Sequence, residues 1–266
     1  MEGARFDRVL VRRSDLRFPI QKNFVSRLEG RTVKSLGRRA KYLVAELSSG
    51  DVLLMHLGMS GWFRAEANGR RDRPADYYWE GGRSPVHDHV VFELSSGATV
   101  VFNDPRRFGS MRIVAARDVA GDPALAALGP EPLARGFDAA ALAKALKARR
   151  IPLKAALSDQ RVVAGLGNIY VSEALHLARL SPTRRASTLV TRSGQPQPEA
   201  ERLVAAIKAV LRQAIRKQHR AYATDRFRVY DREGKRCIRR GCPGVIARIV
   251  QSGRSTFFCP VCQRAR

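Results

Sequence analysis

All four cysteines of the chain lie in its last thirty residues, and no other feature restricts its folding as sharply. They run Cys237-Ile238-Arg239-Arg240-Gly241-Cys242, then sixteen residues, then Cys259-Pro260-Val261-Cys262. Two close pairs, separated by a span that closes one short β-hairpin, bring four thiolates to a single tetrahedral zinc ion. The alternative is two disulfides in a secreted protein. No charged-then-apolar leader opens the chain, so four thiols in a reducing cytoplasm fit better. One structural zinc held by Cys237, Cys242, Cys259 and Cys262 is therefore expected. Between the pairs, Gln251-Ser252-Gly253-Arg254-Ser255-Thr256 is a polar turn flanked by Ile249, Val250, Phe257 and Phe258, which puts Arg254 at the hairpin tip. A guanidinium on a metal-braced tip is rigid enough to act on a ligand, whereas one on a loose tail only adds charge.

Charge then limits what that ligand is. The chain has 49 Lys and Arg against 24 Asp and Glu, a net charge of +25, and a pI near 11.2. This exceeds what solubility requires, and the charge sits among apolar runs that fold, so a polyanion is the natural partner. At 266 residues and 44% hydrophobic, the chain can bury a core and is long enough for two domains. A run of about eighteen uncharged apolar residues, as a membrane span needs, is missing.

The first hundred residues read as strands. Arg5 to Val11, Thr32 to Leu36, Tyr42 to Leu47, Val52 to Leu57, Val90 to Leu94 and Thr99 to Phe102 are short β-rich runs, separated by turn signals such as Ser48-Ser49-Gly50-Asp51 and Ser95-Ser96-Gly97. This pattern predicts an antiparallel sandwich or barrel. Ala67 to Pro85, rich in Gly, Arg, Asp and Pro, reads as an exposed loop. From Pro123 the pattern turns helical. Asp138 is placed to cap a helix bearing Leu142 and Leu146, and Leu203, Ile207, Val210, Leu211 and Ile215 form the core stripe of a longer one. Between them, Gly165 and Gly167 permit a tight reversal that sets Asn168 at the start of a helix, where free backbone N–H groups attract phosphate.

Seven motifs follow one another along the chain: Arg39-Ala40-Lys41-Tyr42-Leu43, His56-Leu57-Gly58-Met59-Ser60-Gly61, His87-Asp88-His89, Asp104-Pro105-Arg106-Arg107-Phe108-Gly109, Leu128-Gly129-Pro130-Glu131-Pro132-Leu133, Gly165-Leu166-Gly167-Asn168-Ile169-Tyr170 and the cysteine hairpin. In identity and order they resemble the formamidopyrimidine-DNA glycosylase and endonuclease VIII family. Asp-Pro-Arg-Arg-Phe-Gly and the Leu-Gly-Pro-Glu-Pro connector look more like the formamidopyrimidine branch, which acts on oxidised purines. The resemblance implies an α+β multidomain fold: an N-terminal antiparallel β-sandwich over residues 1–118, a connector at 119–135, a helix-two-turn-helix domain at 136–222, a lesion-covering linker at 223–235 and a zinc finger at 236–266. It implies a monomer acting on double-stranded DNA that contains an oxidised purine or an abasic site.

Position by position, the resemblance gives Lys41 contact with the damaged nucleotide's phosphate and a part in proton transfer, and gives Arg254 the phosphates flanking the lesion and a part in strand cleavage. His87, Arg106, Arg149 and Asn168 match residues that hold the DNA backbone. Met59, Arg106 and Phe108 match those that fill the hole left by an extruded base. That chemistry is sensible from below, because a stacked base is reached only by flipping it and filling its vacancy. Taken alone, Met59 and Phe108 would read as ordinary core residues.

One departure stands at the front. Family members begin, after the initiator Met, with Pro-Glu-Leu-Pro-Glu-Val-Glu, whose proline amine attacks the sugar C1′ and whose neighbouring glutamate supplies a proton; this chain opens Met1-Glu2-Gly3-Ala4-Arg5-Phe6. Glu2 is thus not the catalytic glutamate by position. The expectation is a start set inside a longer frame, with loss of chemistry as the alternative. The functional readings are then a bifunctional glycosylase and abasic-site lyase of base excision repair, or a zinc-containing protein that binds damaged DNA without cutting. A basic ribosome-associated zinc protein shares the charge and cysteines, but the wedge residues and the helical reversal speak against it.

Overall fold

Short β-branched and aromatic runs broken by Gly-containing turns pair with their neighbours, and this builds the first half of the molecule. The computed structural model describes residues 1–67, 70–72, 84–216 and 227–264, and these divide into two units after Ala126. In the first unit, β1 (Phe6–Val11), β5 (Trp62–Ala67), β6 (Arg70–Asp72), β7 (Asp88–Leu94) and β8 (Thr99–Asn103) form one antiparallel sheet in the order β1-β7-β8-β5-β6. Strands β2 (Val33–Arg39), β3 (Tyr42–Leu47), β4 (Asp51–His56) and β9 (Ser110–Ala115) form a second, in sequence order. Phe6, Phe92 and Phe102 from the first sheet, Leu47, Leu53 and Met55 from the second, and Phe24 and Leu28 from the short helix α1 (Phe24–Leu28) share one buried core.

The six expected strands are present within a few residues of the expected bounds. The structure adds α1, β5 and β9, whose mixed polar and apolar sequences gave no clean period. It also corrects the reading of Ala67 to Pro85: Arg70–Asp72 is a strand paired with β5, and Pro85 opens a 3-10 turn through His87. The rest of that stretch, 68–69 and 73–83, lies outside the described residues, as does part of the linker expected at 223–235.

The second unit is helical. Helix α2 (Pro123–Ala126) closes the first unit, and α3 (Ala139–Leu146) opens the second behind the expected cap, where Asp138 accepts the Ala141 N–H at 2.8 Å. Helices α4 (Leu153–Ser158), α5 (Asn168–Leu177) and α6 (Pro198–Arg216) bury Leu157, Leu175, Leu203 and Ile207 in a common core with Leu142 and Leu146. Ile215 leaves the expected stripe and is half exposed, because α6 outruns the core near its end. The reversal between α4 and α5 is stapled by the side chain of Gln160, whose Oε1 accepts the Gly165 N–H at 2.9 Å and whose Nε2 donates to the Leu166 carbonyl at 3.0 Å. Gly165 takes φ +78°, a conformation costly for any residue with a Cβ.

Past the helices, β10 (Ala247–Gln251) and β11 (Arg254–Phe258) form the hairpin. Ser252 and Gly253 both have positive φ, 51° and 70°, the two-residue turn whose twist suits paired strands. A buried carboxylate on α5 fixes the segment leading there. Glu173 is 3% exposed and accepts the N–H groups of Arg228, Val229 and Tyr230 at 2.8, 2.9 and 3.0 Å. Glu173→Gln puts an amide N–H against a backbone N–H, and we expect a loss of about 1.5–3 kcal/mol, the scale of a hydrogen bond to a charged group. Urea unfolding reads it, and an unmoved midpoint would show that the carboxylate carries no such load.

Candidate metal centre and nucleic-acid interface

The four sulfurs lie within 4.8 Å of one another. Cys237 and Cys262 Sγ are 3.9 Å apart and Cys242 and Cys259 Sγ 3.7 Å, far beyond a disulfide bond of about 2.05 Å. A tetrahedral zinc with bonds of about 2.3 Å needs sulfurs roughly 3.8 Å apart, so the cluster fits the ion. Backbone knuckles set the geometry: Cys242 N–H donates to the Arg239 carbonyl at 3.0 Å and Cys237 N–H to the Gly244 carbonyl at 2.8 Å. A Cβ at Gly244 would stand 2.5 Å from Cys259 Sγ, so only glycine lets the second pair close. Burial, and then the neighbouring Cys259, push the Cys262 thiol up to about 12, so this sulfur gives up its proton readily only to a cation.

The finger is tied to the helices by more than the metal. Gln263 accepts the Cys259 N–H at 2.8 Å and donates to the Leu180 carbonyl at 2.9 Å, and Arg239 donates to the His176 carbonyl at 2.8 Å. His176 sits 3.4 Å from Cys237 Sγ through Nε2. Burial, followed by the charge of Arg239, lowers it to about 4, so it is neutral at pH 7.

In the second unit the structure brings together Asn168 and the hairpin that bears Arg254. Asn168, the first residue of α5, donates its amide to the Ser255 carbonyl at 3.0 Å, next to the exposed Arg254 on β11. The sequence reading missed Lys154. Its side chain lies on the buried face of α4, and burial, then the charge of Arg254, lower its pKa. The signal was available as a lysine inside the apolar run Leu153 to Leu157. Arg149 does not join this group: its guanidinium pairs with Asp159 at 2.8 Å, and Asp159 is held at about 2, chiefly by Arg161.

In the first unit, Met59, Arg106 and Phe108 come together from two turns. The Arg106 guanidinium lies 4.6 Å from the centre of the Phe108 ring. Met59 is 68% and Phe108 39% exposed, so the core reading of both is overturned. His87 is half-buried, its ring 6.4 Å from that of His89. Lys41 is exposed in the turn before β3 and lies close enough to His56 that its charge, after burial, lowers the imidazole's pKa. His56 is a second residue the sequence reading left without a role: its Nδ1 accepts the Gly58 N–H at 2.9 Å and so supports the Met59 turn.

The metal centre yields a direct test. We expect one zinc per chain, with Cys→Ser at any of the four positions lowering zinc content and loosening the hairpin, since a structural site supplies local folding energy. Elemental analysis of metal-replete protein that finds no zinc overturns the assignment.

Comparison with known proteins agrees with this geometry unit by unit. Residues 1–111 match the formamidopyrimidine-DNA glycosylase N-terminal domain, 128–225 the H2TH domain of that glycosylase, and 234–265 the zinc finger found in FPG and IleRS. A relative named formamidopyrimidine-DNA glycosylase from Bradyrhizobium sp. (strain ORS 278) is 56% identical over 276 residues, covering 99% of this chain and 94% of its own length. A relative of the same name from Rhodopseudomonas palustris (strain BisB18) is 57% identical with the same coverage. Among solved structures, the Lactococcus lactis enzyme (Fpg or MutM) non-covalently bound to AP-site DNA superposes with TM-score 0.83 at 27% identity, covering 99% of this chain and 94% of that one. MutM (Fpg) from Thermus thermophilus gives 0.79 at 35%, covering 100% and 94%. With three matched domains in one order and over half of its positions shared with these relatives, the chain belongs to the formamidopyrimidine-DNA glycosylase family.

Proposed function

We propose that the protein is a base excision repair glycosylase that removes oxidised purines, formamidopyrimidines and 8-oxoguanine, from duplex DNA and opens the resulting abasic site by β,δ-elimination. The observation that carries this reading is the exposed trio on the sandwich. Two apolar side chains at 68% and 39% exposure, with a guanidinium stacked on one of them, have no use in a core. They suit a vacancy in a base stack, where an apolar wedge and a planar donor-rich group replace the extruded base. Relatives solved with abasic-site DNA and with Fapy-dG-containing DNA support the substrate class.

His87, Arg149 and Asn168 then hold the DNA backbone, and Arg254, kept in place by the zinc hairpin, meets the phosphates flanking the lesion. Lys41 serves the damaged nucleotide's phosphate and assists proton transfer. Base release needs an unprotonated amine that forms a bond to C1′ as the bond from C1′ to the base breaks; a proline amine yields an iminium that draws electrons toward elimination. The net charge of +25 and the zinc-braced hairpin that bears Arg254 serve a second reading equally, binding of damaged DNA without cleavage.

Borohydride trapping on abasic duplex separates the two. We expect a chain extended to the family's Pro-Glu start to trap and nick. Trapping by the 266-residue chain as well would assign the amine to Met1 or Lys41, and trapping by neither would overturn the enzyme in favour of binding alone. Duplex affinity is expected to fall steeply with salt, with a log–log slope of about −0.9 per phosphate contact, as counterions are released. An affinity that does not change between low and physiological salt contradicts the basic interface. Arg106→Ala should weaken binding to abasic duplex about tenfold more than binding to intact duplex, since the vacancy exists only in the former. Equal losses on both would remove Arg106 from that role.

A further inference from the structure

The two turns that carry Met59, Arg106 and Phe108 meet at a buried carboxylate for which the described residues provide neither a metal site nor an ion pair. Asp104 is 0% exposed, and among the described residues no lysine or arginine lies within ion-pair distance of it. A carboxylate buried without a cation is costly unless hydrogen bonds satisfy it, and here both oxygens are taken. The Ser60 hydroxyl donates to Oδ1 at 2.5 Å and the Gly109 N–H to Oδ2 at 2.7 Å. Ser60 Oγ in turn accepts the Arg106 N–H at 3.2 Å. The Asp104 backbone is held as well: its N–H donates to the His87 carbonyl at 3.0 Å, and its carbonyl accepts from His89 Nε2 at 2.8 Å and from the Arg107 N–H at 3.2 Å.

Each bond lands beside a wedge residue. Ser60 follows Met59, the Ser60 hydroxyl holds the Arg106 backbone, and Gly109 follows Phe108. The turns are pressed together so closely that a Cβ at Gly58 would stand 2.4 Å from the Phe108 carbonyl carbon. Between Arg106 and Phe108, Arg107 has φ +56°, a left-handed conformation unfavourable for an arginine, which its N–H bond to Asp104 and an ion pair to Asp15 at 2.5 Å retain.

We propose that Asp104 is the positioning residue of the void-filling trio. Its carboxylate, acting through Ser60 and Gly109, holds Met59, Arg106 and Phe108 in the arrangement that enters the stack before DNA arrives. The inference rests on the glycosylase reading, since only a protein that meets an emptied stack uses such a wedge. Its physical content is preorganisation: side chains already ordered in the free protein lose little conformational freedom on insertion, and that saving appears only on DNA with a vacancy. Asp104 touches no DNA in this scheme.

The test compares the full chain with Asp104→Asn and Ser60→Ala on two duplexes of one sequence, one intact and one carrying a tetrahydrofuran abasic analogue with 2-aminopurine opposite it. Ser60 lies in a partly exposed turn, so its alanine variant spares the core. Either variant is expected to lower the preference for abasic over intact duplex about tenfold, the worth of one buried hydrogen bond to a charged group, while intact-duplex affinity stays within about twofold. The 2-aminopurine signal that reports intrusion beside the opposite base should shrink in parallel, with Ser60→Ala still fully folded at the assay temperature. A wild-type chain without any preference for the abasic duplex overturns the glycosylase reading itself. A wild-type preference that persists in both variants overturns the role of Asp104 alone. Loss on both duplexes in step with a lowered melting temperature shows a merely structural aspartate and overturns it too.

Discussion

The C-terminal hairpin depends on four sulfurs meeting at one point. Its own apolar core consists of Val229, Ile246 and Phe257 with the buried faces of Cys237 and Cys259. A segment of some thirty residues with so small a core does not hold itself together without a metal or a crosslink. Because the sulfurs converge, the knuckle hydrogen bonds and the glycine at 244 are obligatory, and the strands they launch carry Arg254 at a defined height above α5. The amide of Asn168 reaching the Ser255 carbonyl closes the circuit from the other side, so the hairpin is braced at its base by sulfur and near its tip by a helix terminus.

The charge distribution follows from where the acids went. Asp88, Asp104, Asp122 and Glu173 are all 5% exposed or less, and each is engaged inside: Asp88 with Arg64 and Asn103, Asp122 with Arg112, Glu173 with three backbone N–H groups, Asp104 with two turns. The acids that remain on the surface are outnumbered by the basic side chains, 49 Lys and Arg against 24 Asp and Glu in all, so a polyanion meets a positive field.

How much of this was readable from the sequence depended on whether a residue's role is local. The cysteine spacing, the Asp138 cap and the β-rich run from Tyr42 to Leu47 each involve neighbours in the chain, and each survives in the structure. Strand β5 was hidden because Trp62-Phe63-Arg64-Ala65-Glu66 mixes large apolar and charged residues, and its pairing with β8 across about forty residues supplies the order that its composition does not. Lys154 was hidden for the opposite reason. In sequence it is one more lysine in a basic chain, and only the packing of α4 shows it to be buried beside the charge of Arg254.

Met59 and Phe108 mark where inference from residue type has to fail. Their chemistry says core, and the statistics of buried side chains agree. What keeps them out is backbone: Gly58 at φ +67° and Gly109, whose Cβ would stand 2.6 Å from the Phe102 ring, turn the chain so tightly that the residues beside them point away from the sandwich. The Phe102 ring that fills the space is in the core, and the Phe108 ring is outside it. A glycine that removes room for a side chain inside thus obliges its apolar neighbour to stand in solvent. Such exposure is tolerated by the folded state because the turns are over-determined by hydrogen bonds, and it is useful only to a partner that offers an apolar, stacked space to enter.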